Sequence, residues 1–145
     1  MTATSVDVEM LPRAESLRLL RSVPYGRIVS TIHALPAVQP VNFVLERDQI
    51  AIRTSSESKP LAAGKVRAVL GFEVDDIDVT SRAGWSVVVV GHARVVDDAA
   101  EATRLDTLHL ESWAVPTSRR YICISTEQVT GRWLHSPISV LVTPR

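Results

Sequence analysis

The residues best suited to chemistry sit close together in the chain. Arg53-Thr54-Ser55-Ser56-Glu57-Ser58-Lys59 places two cations and four hydroxyls within seven residues. Hydroxyls, backbone N–H groups near a helix start, an Arg fork and a Lys point charge together suit a phosphate monoester. The same composition also serves a solvated turn, and the local pattern leaves both readings open. The four histidines, His33, His92, His109 and His135, never fall three or four residues apart, and Cys123 is the single cysteine. A metal site needs about three converging ligands. These side chains are therefore read as solvent-facing or hydrogen-bonded, and no metal is expected. No G-x-S-x-G turn occurs, and no serine is matched by spacing to a His and an Asp. Nucleophilic hydrolysis has no support.

Strands must position the hydroxyl-rich loop. Gly26–Ile32 is rich in β-branched residues, and residues 33–36 form a turn. Val38–Leu45 reads as a second strand and Gln49–Thr54 as a third, joined into an antiparallel hairpin by Glu46-Arg47-Asp48. The loop then runs into a short helix within residues 55–63, with a Ser near its N-cap. Arg67–Val74 is a fourth strand, ended by an acidic turn at residues 75–78. Ahead of the strands, residues 1–11 are expected to trail loosely. Pro12 opens a helix over residues 12–22, with Leu17, Leu20 and Val23 along one edge and Pro24 and Gly26 past its end.

Trp85–Val96 is the most informative strand. Trp85, Val87, Val89, Gly91, Ala93 and Val95 share one face, yet Val88 and Val90 on the other are apolar too. Something must cover both faces. A barrel interior on one side and a second copy on the other would do so, which predicts a homodimer. Asp97–Trp113 is read as a helix with an acidic start, broken by Pro116. Tyr121–Ser125 and Gln128–Leu134 are two further strands around a turn, and residues 136–145 form a C-terminal arm. Six or seven antiparallel strands with two or three short peripheral helices make a mainly β (α+β) fold, a small closed or partly closed barrel spanning 1–145 as one domain. A doubly wound nucleotide fold is not expected, because it needs strands alternating with longer helices and no G-x-G-x-x-G follows the first strand.

Composition narrows the function classes. The chain has 145 residues and a mass of 15.9 kDa, enough for one domain. With 46% hydrophobic and 22% charged residues it is neither disordered nor low-complexity. Sixteen basic residues balance sixteen acidic ones, so a basic face for nucleic acid is not expected. No apolar stretch is long enough for a bilayer, and MTATSVDVEM has no secretion-signal pattern. One cysteine allows neither an intrachain disulfide nor a Cys-rich zinc site. A cytoplasmic location is expected.

A set of segments in order resembles a known group. They are Gly26-Arg27-Ile28, Pro40-Val41-Asn42-Phe43, Arg53-Thr54-Ser55 with Lys59, Phe72-Glu73-Val74-Asp75, Gly84-Trp85-Ser86-Val87, Val90-Gly91-His92-Ala93, Trp113-Ala114 and Val129-Thr130-Gly131-Arg132. Over residues 12–135 the chain resembles the flavin-binding split barrels of the pyridoxamine 5'-phosphate oxidase-like superfamily, especially small actinobacterial members. The resemblance implies FMN, or in some branches the deazaflavin F420, bound at a dimer interface. It places Arg53, Thr54, Ser55 and Lys59 on the cofactor phosphate, and Val41, Asn42 and Phe43 along the isoalloxazine ring. It sets Ser86 against the flavin with Trp85 beside it, and lets Arg132 and Trp133 reach the partner's cofactor. Each has a plainer reading: Trp85 as a core or interface anchor, Asn42 as a strand-end cap, Arg27 as a surface ion pair. The C-terminal GRWLHSPISVLVTPR does not reproduce the Arg- and His-bearing segment of the true oxidases, so oxidation of pyridoxamine phosphate is not expected. The lysine-rich N-terminal extension of some F420-using reductases is lacking too. The implied function is an FMN-dependent oxidoreductase of a small molecule. The alternatives are an F420-dependent reductase and a flavin-binding or storage protein without turnover. No catalytic acid or base is named.

Overall fold

Alternation and tight turns build most of the molecule. The structure, a computed structural model, describes residues 7–54, 68–108, 110 and 120–135. The elements there are β1 (Val8–Leu11), α1 (Arg13–Arg21), β2 (Tyr25–Ile32), β3 (Leu35–Asn42), β4 (Val44–Glu46), β5 (Gln49–Thr54), β6 (Val69–Ile77), β7 (Gly84–Val95), α2 (Ala99–Asp106), β8 (Arg120–Ser125) and β9 (Gln128–Leu134). All pairings are antiparallel, in the order β3-β2-β6-β7-β8-β5-β4, with β9 also on β7 and β1 on β9. The expected mainly β, antiparallel architecture is present, with more strands than the six or seven foreseen.

Two hairpins close through two-residue turns with both residues at positive φ: His33 and Ala34 at 50° and 63°, Arg47 and Asp48 at 50° and 57°. That conformation matches the strand twist. The expected strand Val38–Leu45 is two strands. β3 pairs with β2, the chain bends at Phe43, and β4 pairs with β5 instead. A strand that changes partners lets one curled sheet turn a corner.

Other expectations are corrected. Residues 8–11 are not loose: β1 pairs with β9 from Val8↔Leu134 to Leu11↔Gly131. The acidic turn begins later, because Asp75, Asp76 and Ile77 continue β6 opposite Ser86, Trp85 and Gly84. Asp78 is the turn residue, its Oδ1 accepting from Thr80 N (2.8 Å) and Ser81 N (3.0 Å). The helix expected over 97–113 is the shorter α2, with Asp98 as N-cap accepting from Ala100 N at 3.3 Å. The short helix expected within 55–63, and the arm over 136–145, lie outside the described residues.

β8 and β9 are not a hairpin. Ile122–Ile124 pairs with Val95–Ala93, and Gln128–Leu134 continues along Val90–Gly84. The pair therefore runs as one long strand beside β7. Between the paired stretches, Ser125, Thr126 and Glu127 oppose only Gly91 and His92, which makes a one-residue bulge. Gly91 permits it: a Cβ there would lie 1.8 Å from the Ser125 carbonyl oxygen.

Alternation along β7 sorts its side chains as expected. Val87 and Val89 are fully buried and Trp85 nearly so. The interior core adds Leu17, Leu20, Ile28, Phe72, Ile52 and Ile124, so α1 closes the barrel from one end. On the far side of β5 and β8 a second cluster holds Leu105, Leu110, Tyr121 and Cys123 around α2. Among the described residues no helix is long and apolar enough to cross a membrane.

Candidate functional site

The bend at Phe43 decides where the first candidates point. Phe43 N donates to Pro24 O (3.3 Å), and its ring packs edge-on against Phe72 with centroids 4.8 Å apart. Phe43 and its near neighbour Val41 thus serve the interior core. Alternation turns Asn42 to the opposite, outer face. The β4–β5 register aligns Val44 with Ala51. Carried back two residues, it points Asn42 toward the Arg53 end of β5, and β3 and β5 come close to each other.

Asn42 and Arg53 share an unusual property. Among the described residues three buried side-chain atoms lack a hydrogen-bond partner: Asn42 Oδ1, Arg53 Nε and Glu46 Oε2. The first two are an acceptor and a donor at one strand switch. Arg53 makes a long bond from Nη1 to Leu110 O, 3.5 Å, and no ion pair among the described residues. Unsatisfied buried polar atoms cost about 1–3 kcal/mol each, so these two suit a polar group brought from outside. Glu46 differs, because its Oε1 accepts from Arg104 Nε at 2.6 Å within an ion-pair network. A cleft of about 450 Å³ beside α1 is lined by Leu20, Val23, Pro24 and Phe43, and none of the orphaned atoms lines it.

The remaining candidates divide between two faces. Trp85 and Trp133 are direct cross-strand neighbours turned inward, Trp85 6% exposed and Trp133 packed against the core. Ser86 and Arg132, the next pair, face outward. Registers across β3, β2, β6, β7, β9 and β1 align Asn42, Tyr25, Asp75, Ser86, Arg132 and Met10 in one outward row. The structure therefore brings Asn42, Ser86 and Arg132 to one face with Arg53 at its margin. It leaves the side chains of Val41, Phe43, Trp85 and Trp133 inside. The backbone of Thr54 ends β5 opposite Arg120; Ser55 and Lys59 lie outside the described residues.

The plainer readings of Arg27 as a surface ion pair and of His92 and His135 as hydrogen-bonded hold, but their carboxylate partners were not foreseen. Arg27 Nη1 donates to Glu73 Oε1 (3.2 Å) and Asp75 Oδ2 (3.3 Å) on the outer face. Burial and the adjacent Asp75 raise the Glu73 carboxyl above its ordinary value, against the pull of Arg27. The signal was the i, i+2 spacing of Glu73 and Asp75, hidden by reading Asp75 as turn. Arg94 grips Glu101 through Nη1 (2.9 Å) and Gln49 through Nη2 (2.8 Å), tying α2 to the β4–β5 hairpin. At the bulge, Glu127 Oε1 accepts from Ser125 Oγ and binds His92 Nδ1, both at 2.7 Å. These bonds hold the Glu127 carboxyl down at about 2. His135 Nε2 lies 2.9 Å from Glu9 Oε2. Burial pushes the Cys123 thiol up to about 11, which leaves it a weak nucleophile at neutral pH.

A curled antiparallel sheet with a polar outer row at its strand switch defines a class, and comparison with known proteins agrees with it. Residues 12–133 match the pyridoxamine 5'-phosphate oxidase family. The chain belongs to this oxidase-like family. An uncharacterised protein of Mycobacterium tuberculosis is 39% identical over 129 residues, 86% of this chain and 84% of that one. The crystal structure of a candidate pyridoxamine 5'-phosphate oxidase from Corynebacterium glutamicum has a TM-score of 0.77 at 32% identity, covering 88% of this chain and 98% of that one. The FAD binding protein of Mycobacterium smegmatis has a TM-score of 0.72 at 33% identity, covering 87% and 97%. The fold is the split barrel of these proteins.

Proposed function

We propose that this protein is a flavin-dependent oxidoreductase of a small molecule. It binds FMN by the phosphate at the Arg53 end of β5, and two copies enclose the cofactor at the margin of their outer sheet faces. The observation that carries this reading is the two orphaned buried atoms, Arg53 Nε and Asn42 Oδ1, at the ends of β5 and β3 where β3 hands over to β4. A phosphate satisfies the donor with a charge-assisted bond. An N–H or O–H of the same ligand satisfies the acceptor. Thr54, Ser55 and Lys59 follow Arg53 in the chain and add hydroxyls and a second cation. A flavin supplies two-electron transfer; the protein supplies binding, orientation and exclusion of water. FAD is the second reading, favoured by the Mycobacterium smegmatis relative that is a FAD binding protein at 33% identity. Its pyrophosphate would meet the same Arg53.

Support for the dimer comes from the outer face. Val8, Met10, Tyr25, Val29, Val38 and Val69 lie on it and are 38–62% exposed. Apolar residues gathered on one sheet face mark an interaction surface, and an obligate dimer would bury about 2,000 Å² or more.

Mass spectrometry of the cofactor released from purified protein separates FMN, FAD and F420. Titration of FMN and riboflavin, followed by flavin fluorescence, then tests the clamp. Arg53→Ala is expected to weaken FMN roughly ten- to hundredfold, the worth of one charged hydrogen bond of about 1.5–3 kcal/mol. Riboflavin binding should hardly change. Equal losses for both ligands would mean that Arg53 supports the fold or the ring, and no loss for either would put the phosphate elsewhere. A preparation that takes up no flavin at all would overturn the function.

A further inference from the structure

The described outer sheet face holds a charge cluster around Arg27 and, two strands away, the unpaired cation Arg132. Arg27 serves both Glu73 and Asp75, so the cluster keeps one negative charge in excess. Its side chains are 29–41% exposed, set between Pro40 on β3 and Val88 on β7. Arg132 stands exposed on the same face and makes no ion pair among the described residues. Ser86 lies midway, a direct cross-strand neighbour of Asp75 on β6 and of Arg132 on β9. The two charges are thus two strand spacings apart, about 10 Å, too far to pair closely within one copy.

An isologous interface must be complementary to itself. Consider a two-fold axis lying between two such faces and running along β7. It exchanges the β6 side of one copy for the β9 side of the other. Val88 and Val90 then meet their own counterparts, and Arg132 comes over Asp75 of the second copy, twice by symmetry. Packed sheets lie about 10 Å apart, a gap that an extended Arg chain and a short carboxylate close between them.

We infer that a second copy of this chain is recognised through that exchange: Arg132 of each copy pairs with the Glu73–Asp75 carboxylates of the other. The inference rests on the dimer proposed above. It gives Arg132 a carboxylate counterpart across the interface, in place of the cofactor contact that the family resemblance implied. The raised Glu73 carboxyl fits an acid already short of cations before any partner arrives. Burying the cluster without another cation would strand its excess charge, whereas a cation brought in trans neutralises it and fixes the register of the two faces.

Sedimentation equilibrium of the full chain at low and high salt tests this. Arg132→Glu is expected to raise the dimer dissociation constant roughly tenfold or more. Adding Asp75→Arg should bring it back close to the wild-type value, because the pair is restored with its signs reversed. A monomeric wild type would overturn the dimer itself. A dimeric wild type whose affinity ignores Arg132→Glu would overturn the exchange and leave the dimer standing. If the reversed variant loses its fold by circular dichroism, Arg132→Met, Asp75→Asn and their combination form a milder cycle. Non-additive losses support the pairing, and additive ones refute it.

Discussion

At the scale of single residues, Glu127 shows how a bulge joins a neighbouring Ser and a distant His into a pH-dependent contact. Its Oε1 accepts from the Ser125 hydroxyl and His92 N and binds His92 Nδ1. The Ser125 hydroxyl is the largest cause of the depressed carboxyl, which falls from 4.5 to about 2. A carboxyl depressed in the folded state contributes stability that is complete above its unfolded value and is lost as pH falls through its folded one. Glu127→Gln should therefore melt below wild type at neutral pH, with the gap closing between pH 4.5 and about 2. A gap that stays constant in thermal scans across that range would mean that the substitution acts through packing instead. The site residues themselves divide in the same local way. Arg53 was legible because its type and neighbours suit a phosphate. Asn42 acquires meaning only through the fold, since the two are eleven positions apart in sequence and a strand switch brings the ends of β3 and β5 to one region.

Among elements, β7 is the ruler of the molecule. Its twelve residues pair with β6 along one edge and with β9 and then β8 along the other. The hand-over needs the backbones to approach at Gly91, where a Cβ would stand 1.8 Å from Ser125 O and 2.7 Å from its hydroxyl. Backbone cannot yield as a side-chain tip can. Gly91→Ala should cost about 2 kcal/mol or more by overpacking, read as a lower midpoint in denaturant unfolding. An unchanged midpoint would show that the bulge relaxes freely. Helix α1 uses the same device against β9: a Cβ at Gly131 would lie 2.1 Å from Ser16 Oγ. Ser16 is fully buried, its hydroxyl donating to Pro12 O at 2.9 Å.

For the whole molecule, the two faces of β7 predict different outcomes for the same chemical insult. Val89 is 0% exposed in the barrel core. An unpaired carboxylate there costs too much to bury, so Val89→Asp should fail to fold. Val88 is half-buried on the outer face opposite Glu73. Val88→Asp adds a negative charge to a cluster already in excess and should give a folded monomer, with wild-type circular dichroism and half the sedimenting mass of the proposed dimer. A dimeric Val88→Asp would move the interface to another surface.

Period-two alternation, a signal carried by adjacent residues, determined which side chains of β7 enter the core, and turn chemistry placed a turn after Ile32 and the hairpin closed by residues 46–48. The family segments in order determined the split barrel. Which strands lie side by side was decided by the tertiary structure. Only there does Val38–Leu45 break at Phe43 to serve two partners, Asp75 become strand opposite Ser86, and β1 find β9 from the far end of the chain. The same holds for β8 and β9, two apolar runs with a polar link whose local pattern fits a hairpin, yet which lie end to end along β7. The physical reason is that cross-strand neighbours are set by register between distant segments. A one-residue shift in that register turns every side chain to the opposite face. The orphaned Asn42 and Arg53, and the single guanidinium shared by Glu73 and Asp75, are products of that pairing.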